Sequence, residues 1–219
     1  MPCARPAVFQ PGTSSGFTTQ ATGQHGSMIG TLAIRGVAGP LFVGHGTQKL
    51  FGWFGGHGLE GTGGFFESIG LRPGKQHAAA AGAAEAVGGA LLFLGAATPV
   101  AAAMITGAMA TAIRKVHAPN GPWVTENGWE YNALIIASMA AIVEHGPGPL
   151  SVDARLFPNW KGPAWAAAAV GAGVAGSYLV DMLSEGEQGP ADVSSTADPA
   201  SPNGEARISP NPAASPTEG

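Results

Sequence analysis

One cysteine, Cys3, stands alone among 219 residues, in a polar stretch near the start. It excludes a disulfide framework within the chain and any Cys-x-x-Cys chemistry. Charge is almost as scarce. Ten basic and 14 acidic side chains make 11% of the sequence, against about 25% in an average soluble domain. The formal net charge of −4 is concentrated at one end: Glu185, Glu187, Asp192, Asp198, Glu205 and Glu218 follow residue 183, with Arg207 as their only basic neighbour. The rest is close to neutral and offers no basic surface, so nucleic acid is excluded as a partner. No Ser/His/Asp or Cys/His arrangement is recognisable, and His45, His117 and Glu130 include no metal-ligand pair at i,i+4 spacing. No metal is therefore expected, and no catalytic residue is assigned.

What the chain does have is long uncharged stretches. Between Glu85 and Arg114 lie 28 residues without a charge, residues 131–143 and 163–180 have none, and 28–51 hold only Arg35 and Lys49. A helical hairpin in water needs a solvated polar face, which these segments lack. About 20 mainly apolar residues cross the hydrocarbon of a bilayer. The pattern predicts an all-α integral membrane protein with helices at 28–51, 76–97, 99–118, 129–146 and 163–183. An alanine-rich soluble bundle is the alternative. Pro99 suits a first turn, and Pro147 and Pro149 stop the fourth helix. Pro40 predicts a kink or local unwinding in the first. The short link between the second and third makes them an antiparallel hairpin.

Residues 1–27 have no apolar run fit for a signal peptide and read as disordered. Met28 precedes the first apolar span and is a candidate translation start. Residues 184–219 read as a disordered acidic tail. Lys and Arg counts place the first and third loops, with Arg72, Lys75, Arg114 and Lys115, in the cytoplasm. Gly56-His57-Gly58-Leu59-Glu60-Gly61 spells G-x-G-x-x-G. A dinucleotide site needs a strand before that motif, so the segment reads as a flexible turn, with Trp53, Phe54, Phe65 and Phe66 as interfacial anchors.

Charges at bilayer depth need partners or a wet cavity. At 100° per residue Arg35, His45 and Lys49 lie on one side of the first helix. Glu85 lies on a small-residue face of the second, beside Gly82, Gly88 and Gly89, where backbones approach closely. The expectation is a buried ionic network, with Arg35 and Glu85 as its pair. His45, His117 and Glu130, if they meet at one mouth of the bundle, could hydrogen-bond a quinone carbonyl and relay protons. Arg114 and Lys115 read as snorkelling or dipole-complementing side chains.

The order Arg35…Phe42-Val-Gly-His45-Gly46-x-x-Lys49-Leu50, Gly70-Leu71, Glu85-x-x-Gly88-Gly89-x-Leu91-Leu92 resembles the DoxX family of small bacterial membrane proteins. The later runs His117…Asn127-Gly128-x-Glu130-Tyr131-Asn132 and Gly146-Pro147-Gly148-x-x-Ser151-x-Asp153 carry the same resemblance. It covers about residues 28–155 and implies an antiparallel four-helix membrane bundle, with 156–183 as an added fifth helix. The family is similar to the membrane subunit of thiosulfate:quinone oxidoreductase. It implies a plasma-membrane, multi-pass protein serving redox or thiol-stress functions. Partners would be membrane lipid and a soluble redox protein, and a homo-oligomer is compatible with the sequence. The motif positions fall on Arg35, His45, Lys49, Glu85, His117, Asn127, Glu130 and Asp153, together with Gly46, Gly88, Gly146 and Ser151. A scaffold that docks redox proteins without turnover is the second reading.

Overall fold

The computed structural model describes the backbone of residues 23–186 and the side chains of 28–184. The expectations for residues 1–22 and for the tail from 187 onward lie outside these described residues. Within them the chain forms helices and no strand. These are α1 (Gly23–Phe51), α2 (Gly58–Ser68), α3 (Gly74–Leu94), α4 (Thr98–Ala112), α5 (Glu130–His145), α6 (Asp153–Leu156) and α7 (Pro163–Gly186). Met28–Phe51, Gly74–Leu94 and Pro163–Ser184 are long and apolar enough to cross a membrane. α4 has 15 residues and α5 has 16. The protein is an all-α membrane protein.

The predicted spans fall on α1, α3, α4, α5 and α7. Three details differ. α1 begins at Gly23, inside the segment expected to be disordered, since extending a nucleated helix adds a hydrogen bond for each residue fixed. α1 also runs unbroken through Pro40. And the glycine-rich segment expected to be a turn is helical in four of its six residues, because α2 starts at Gly58. Glycine on α2 serves contact: a Cβ on Gly63 would lie 3.1 Å from the Lys75 nitrogen, and one on Gly74 of α3 would strike the Gly63 carbonyl. α2 is also tied to α3 by Glu67 Oε1, which accepts the Gly74 N–H at 3.2 Å, and by a Glu60–Lys75 ion pair of 2.7 Å.

α1 and α3 are antiparallel. Gly39 meets Phe93 and Gly89, while Gly46 meets Ala86 and Gly82. A Cβ on Gly46 would lie 2.5 Å from the Ala86 nitrogen, and one on Gly89 would lie 2.6 Å from the Gly39 carbonyl oxygen. Without solvent to drive association, such backbone approach supplies the packing between membrane helices. α3 closes with Gly95 left-handed at φ 59°. Gly95 N–H donates to Leu92 O and Ala96 N–H to Leu91 O, the two bonds of a Schellman turn. The chain reverses at once into α4. α7 lies along α4 in the same direction: Gly173 packs on Ala103 and Thr106, and Asp181 meets Arg114. Phe42, Leu92, Ile105, Met139, Ile142, Val143 and Ala169 form the core shared by α1, α3, α4, α5 and α7.

Candidate functional site

The register of α1 against α3 decides which charges meet. Gly46 lies opposite Gly82 and Ala86, so Lys49 reaches Glu85, with Nζ to Oε2 at 2.5 Å. The Glu85 side chain is 6% exposed and Lys49 25%. The expected Arg35–Glu85 pair does not form. Arg35 lies level with Leu92 and Phe93, two turns along α3 from Glu85, roughly 10 Å by helical rise. Glu85 and Lys49 form the ionic contact between these two helices.

Arg35 is 4% exposed and committed to backbone. Nε donates to Leu92 O at 3.1 Å and Nη2 to Phe93 O at 2.9 Å. Nη1 donates to Pro147 O at 2.7 Å and Leu150 O at 3.0 Å. The last carbonyls of a helix have no partner within it and carry its negative dipole end, which a guanidinium fork suits. Asp153 does the converse for α4. Its two carboxylate oxygens accept the Ala97 and Thr98 N–H groups, each at 2.7 Å. Ser151 Oγ donates to Gly148 O at 2.5 Å and accepts the Ala154 N–H at 3.2 Å. Gly146, at φ 87°, ends α5 against Lys161. The late motif therefore builds a clasp joining the α3–α4 turn, α1 and the loop after α5. Gly88 belongs to packing: a Cβ there would lie 3.2 Å from Met104 Cβ on α4.

Among the described residues, no hydrogen bond joins His45, His117 and Glu130 to one another. His45 is exposed on α1, with Nδ1 3.1 Å from Gln48 Oε1 and its ring edge-on to Phe42. His117 Nδ1 is 2.8 Å from the carbonyl of Asn127, a left-handed residue at φ 61°. Glu130 Oε1 accepts the Val124 N–H at 2.7 Å. The last two hold the loop between α4 and α5 in shape. His45 is sent outward because α1 gives its inner face to Phe42, Gly46 and Lys49.

Asp181 was not singled out from the sequence. After α4 the helix widens into a π-turn, Ile113–His117, a distortion often found where side chains must be re-aimed. Arg114 and Lys115 both turn to Asp181 on α7. Arg114 also donates to Ser177 O at 2.8 Å and lies 3.9 Å from the Tyr178 ring centre. These cations neither snorkel freely nor merely face a dipole. They tie α7 to α4. The legible signal was one carboxylate inside an otherwise uncharged run from 163 to 184.

The DoxX family model matches residues 30–118. The chain is 32% identical over 133 residues to a Bacillus subtilis (strain 168) protein called "Putative oxidoreductase CatD", an alignment covering 61% of this chain and 91% of that one. The chain belongs to the DoxX family. No solved structure matches it. The DoxX match contains Arg35, Lys49 and Glu85, whereas Asp153 and Asp181 lie beyond it. Among the described residues no group of His, Cys, Asp and Glu could hold a metal ion.

The Lys49–Glu85 contact has a measurable signature. Glu85→Ala should cost about 1–3 kcal/mol of stability in detergent, because it leaves a half-buried ammonium unpaired. Glu85→Ala with Lys49→Ala should cost less than Glu85→Ala alone. Adding Arg35→Ala instead should make the loss larger. A thermal-unfolding cycle over these variants checks the pairing, and equal losses in single and double variants would dissolve it.

Proposed function

We propose that this DoxX-family protein crosses the plasma membrane five times, on α1, α3, α4, α5 and α7, and serves as the membrane component of a redox module. In this reading it holds a quinone where α1 meets α3. The observation that carries the reading is the Lys49–Glu85 pair, in which a spanning helix keeps a cation part-exposed beside a buried carboxylate. Lys49 Nζ has N–H groups beyond the one given to Glu85. His45, four residues before it, faces outward with one ring nitrogen engaged by Gln48. The fit is therefore lateral: a carbonyl arriving through the lipid meets the Lys49 ammonium, beside an imidazole whose N–H is given to Gln48, not an enclosed chamber.

A bound quinone would supply two-electron chemistry, accepting electrons from a reduced sulfur compound through a soluble partner protein, with two protons taken up. The chain's own part is to orient the carbonyl with Lys49 and to pass protons through the exposed His45 imidazole. Glu85 keeps Lys49 aimed. With Cys3 the sole cysteine, the spans hold no thiol to carry electrons themselves. The name of the Bacillus subtilis relative as an oxidoreductase supports the class of chemistry.

Protein reconstituted in liposomes with a short-chain quinone tests the reading. Binding should weaken at least about tenfold in Lys49→Ala, the range for a lost charge-assisted hydrogen bond. Absence of binding, or equal affinity in the variant, would remove the proposal. A second reading, a scaffold without turnover, draws on Arg35, Asp153, His117 and Glu130 all being spent on backbone groups. A soluble redox partner retained in equal amount by wild type and by the Lys49→Ala variant, with no quinone effect, favours that second reading.

A further inference from the structure

On the clasp side of the molecule, an open apolar cleft of about 470 Å³ runs between the end of α3 and the loop leading into α6. Leu94, Leu150, Val152 and Leu156 line it, and all are exposed. Its polar lining residues are Ser151 and Arg155. The Ser151 hydroxyl is already taken up by Gly148 and Ala154. Asp153, close by in sequence, is 2% exposed with both oxygens engaged. The Arg155 guanidinium has no hydrogen bond or ion pair among the described residues, and it is exposed at the cleft.

Depth narrows what could lie there. α3 is 21 residues long, about 31 Å at 1.5 Å per residue, and Leu94 is its last residue. The cleft therefore opens where a spanning helix leaves hydrocarbon. The neighbouring segment carries a stack of Phe157, Trp160 and Trp165, with ring centres 4.4 and 5.5 Å apart. Aromatic side chains gather at the headgroup level. An apolar trough with one unneutralised guanidinium at that depth is complementary to a molecule with an acyl chain and an anionic head.

We propose that this cleft is a binding site for an anionic phospholipid, with an acyl chain along Leu94, Leu150 and Leu156 and the phosphate on Arg155. A guanidinium presents a planar fork of donors that fits phosphate oxygens. The site is separate from the Lys49–Glu85 contact, which lies two turns and more along α3 from Leu94.

The test uses the full-length protein in detergent, titrated with phosphatidylglycerol and, separately, with phosphatidylcholine of the same chains, and read by native mass spectrometry and thermal unfolding. Phosphatidylglycerol should bind about fivefold more tightly than phosphatidylcholine, the gain expected for one basic group at a lipid surface. Arg155→Gln should abolish that preference, and Arg155→Lys should keep part of it. Leu150→Trp, which fills the trough, should weaken both lipids while leaving the protein folded. Equal binding of the two lipids, an unchanged preference in Arg155→Gln, or stabilisation by inorganic phosphate as large as that by phosphatidylglycerol would each overturn the proposal. Unfolding of Arg155→Gln would do so too, since it would make Arg155 a structural residue.

Discussion

Arg35→Met should lower the stability of the detergent-solubilised protein by about 3–5 kcal/mol, the largest loss expected from any single substitution here. Methionine fills similar volume but cannot donate. The carbonyls of Leu92, Phe93, Pro147 and Leu150 would lose their guanidinium partner in a buried place. Leu92 O keeps the Gly95 N–H; leaving a buried acceptor such as the others unsatisfied costs about 1–3 kcal/mol, and the three are not additive because they share one group. Arg35→Lys should recover less than half of the loss, since an ammonium cannot fan out over four oxygens around two segments. The midpoint of thermal unfolding, with the monodisperse fraction on gel filtration, reads both. A Lys variant equal to wild type would show that charge alone matters and that the fork geometry does not.

The second large effect comes from adding a single methyl group. Gly46→Ala should destabilise by about 2 kcal/mol even though alanine is the better helix former by about 1 kcal/mol. The added carbon would lie 2.5 Å from the Ala86 nitrogen and the Gly82 carbonyl oxygen. Both are backbone atoms of a helix and cannot step aside, so α1 and α3 must part, and overpacking of that kind costs about 1–3 kcal/mol or more. Gly44, two residues earlier on the same helix, has nothing within 4 Å of its would-be Cβ. Gly44→Ala should therefore stabilise, by up to about 1 kcal/mol. Opposite signs at the two positions, measured by denaturant unfolding in one detergent, identify contact rather than helix propensity as the cause. The same sign at both would discard that account.

Much of the helical layout could be read from missing charge, because lipid allows few ionised groups and their absence marks a span wherever it persists for twenty residues. The α3–α4 hairpin followed from a three-residue link. Partner choice could not be read this way. Arg35 and Lys49 do face inward from α1 while His45 faces out, but angular position does not say where along the neighbouring helix each one falls. Only the offset set by Gly46 against Gly82 gives Lys49 to Glu85 and sends Arg35 to the end of α3. The motif residues Ser151 and Asp153 carried a family resemblance without a physical role, since an N-cap supplied from 55 residues away has no local pattern. α2 was missed because its glycines look like turn residues until a neighbouring backbone is placed against them. Asp181 was passed over for a different reason: it stands alone on its helix, and its partners arrive from another part of the chain.

That separation along the chain matters while the protein is being made. Arg114 leaves the ribosome 63 residues ahead of the serine it will bond on α7, and Asp181 follows a turn later. At about 5–20 residues per second, translation leaves the two cations for several seconds without their carboxylate. During that interval they must stay among lipid headgroups or water at the translocon, holding the end of α4 at the surface. Arrival of α7 is thus the event that lets this corner of the protein settle, which makes that helix a late checkpoint for a segment completed long before it.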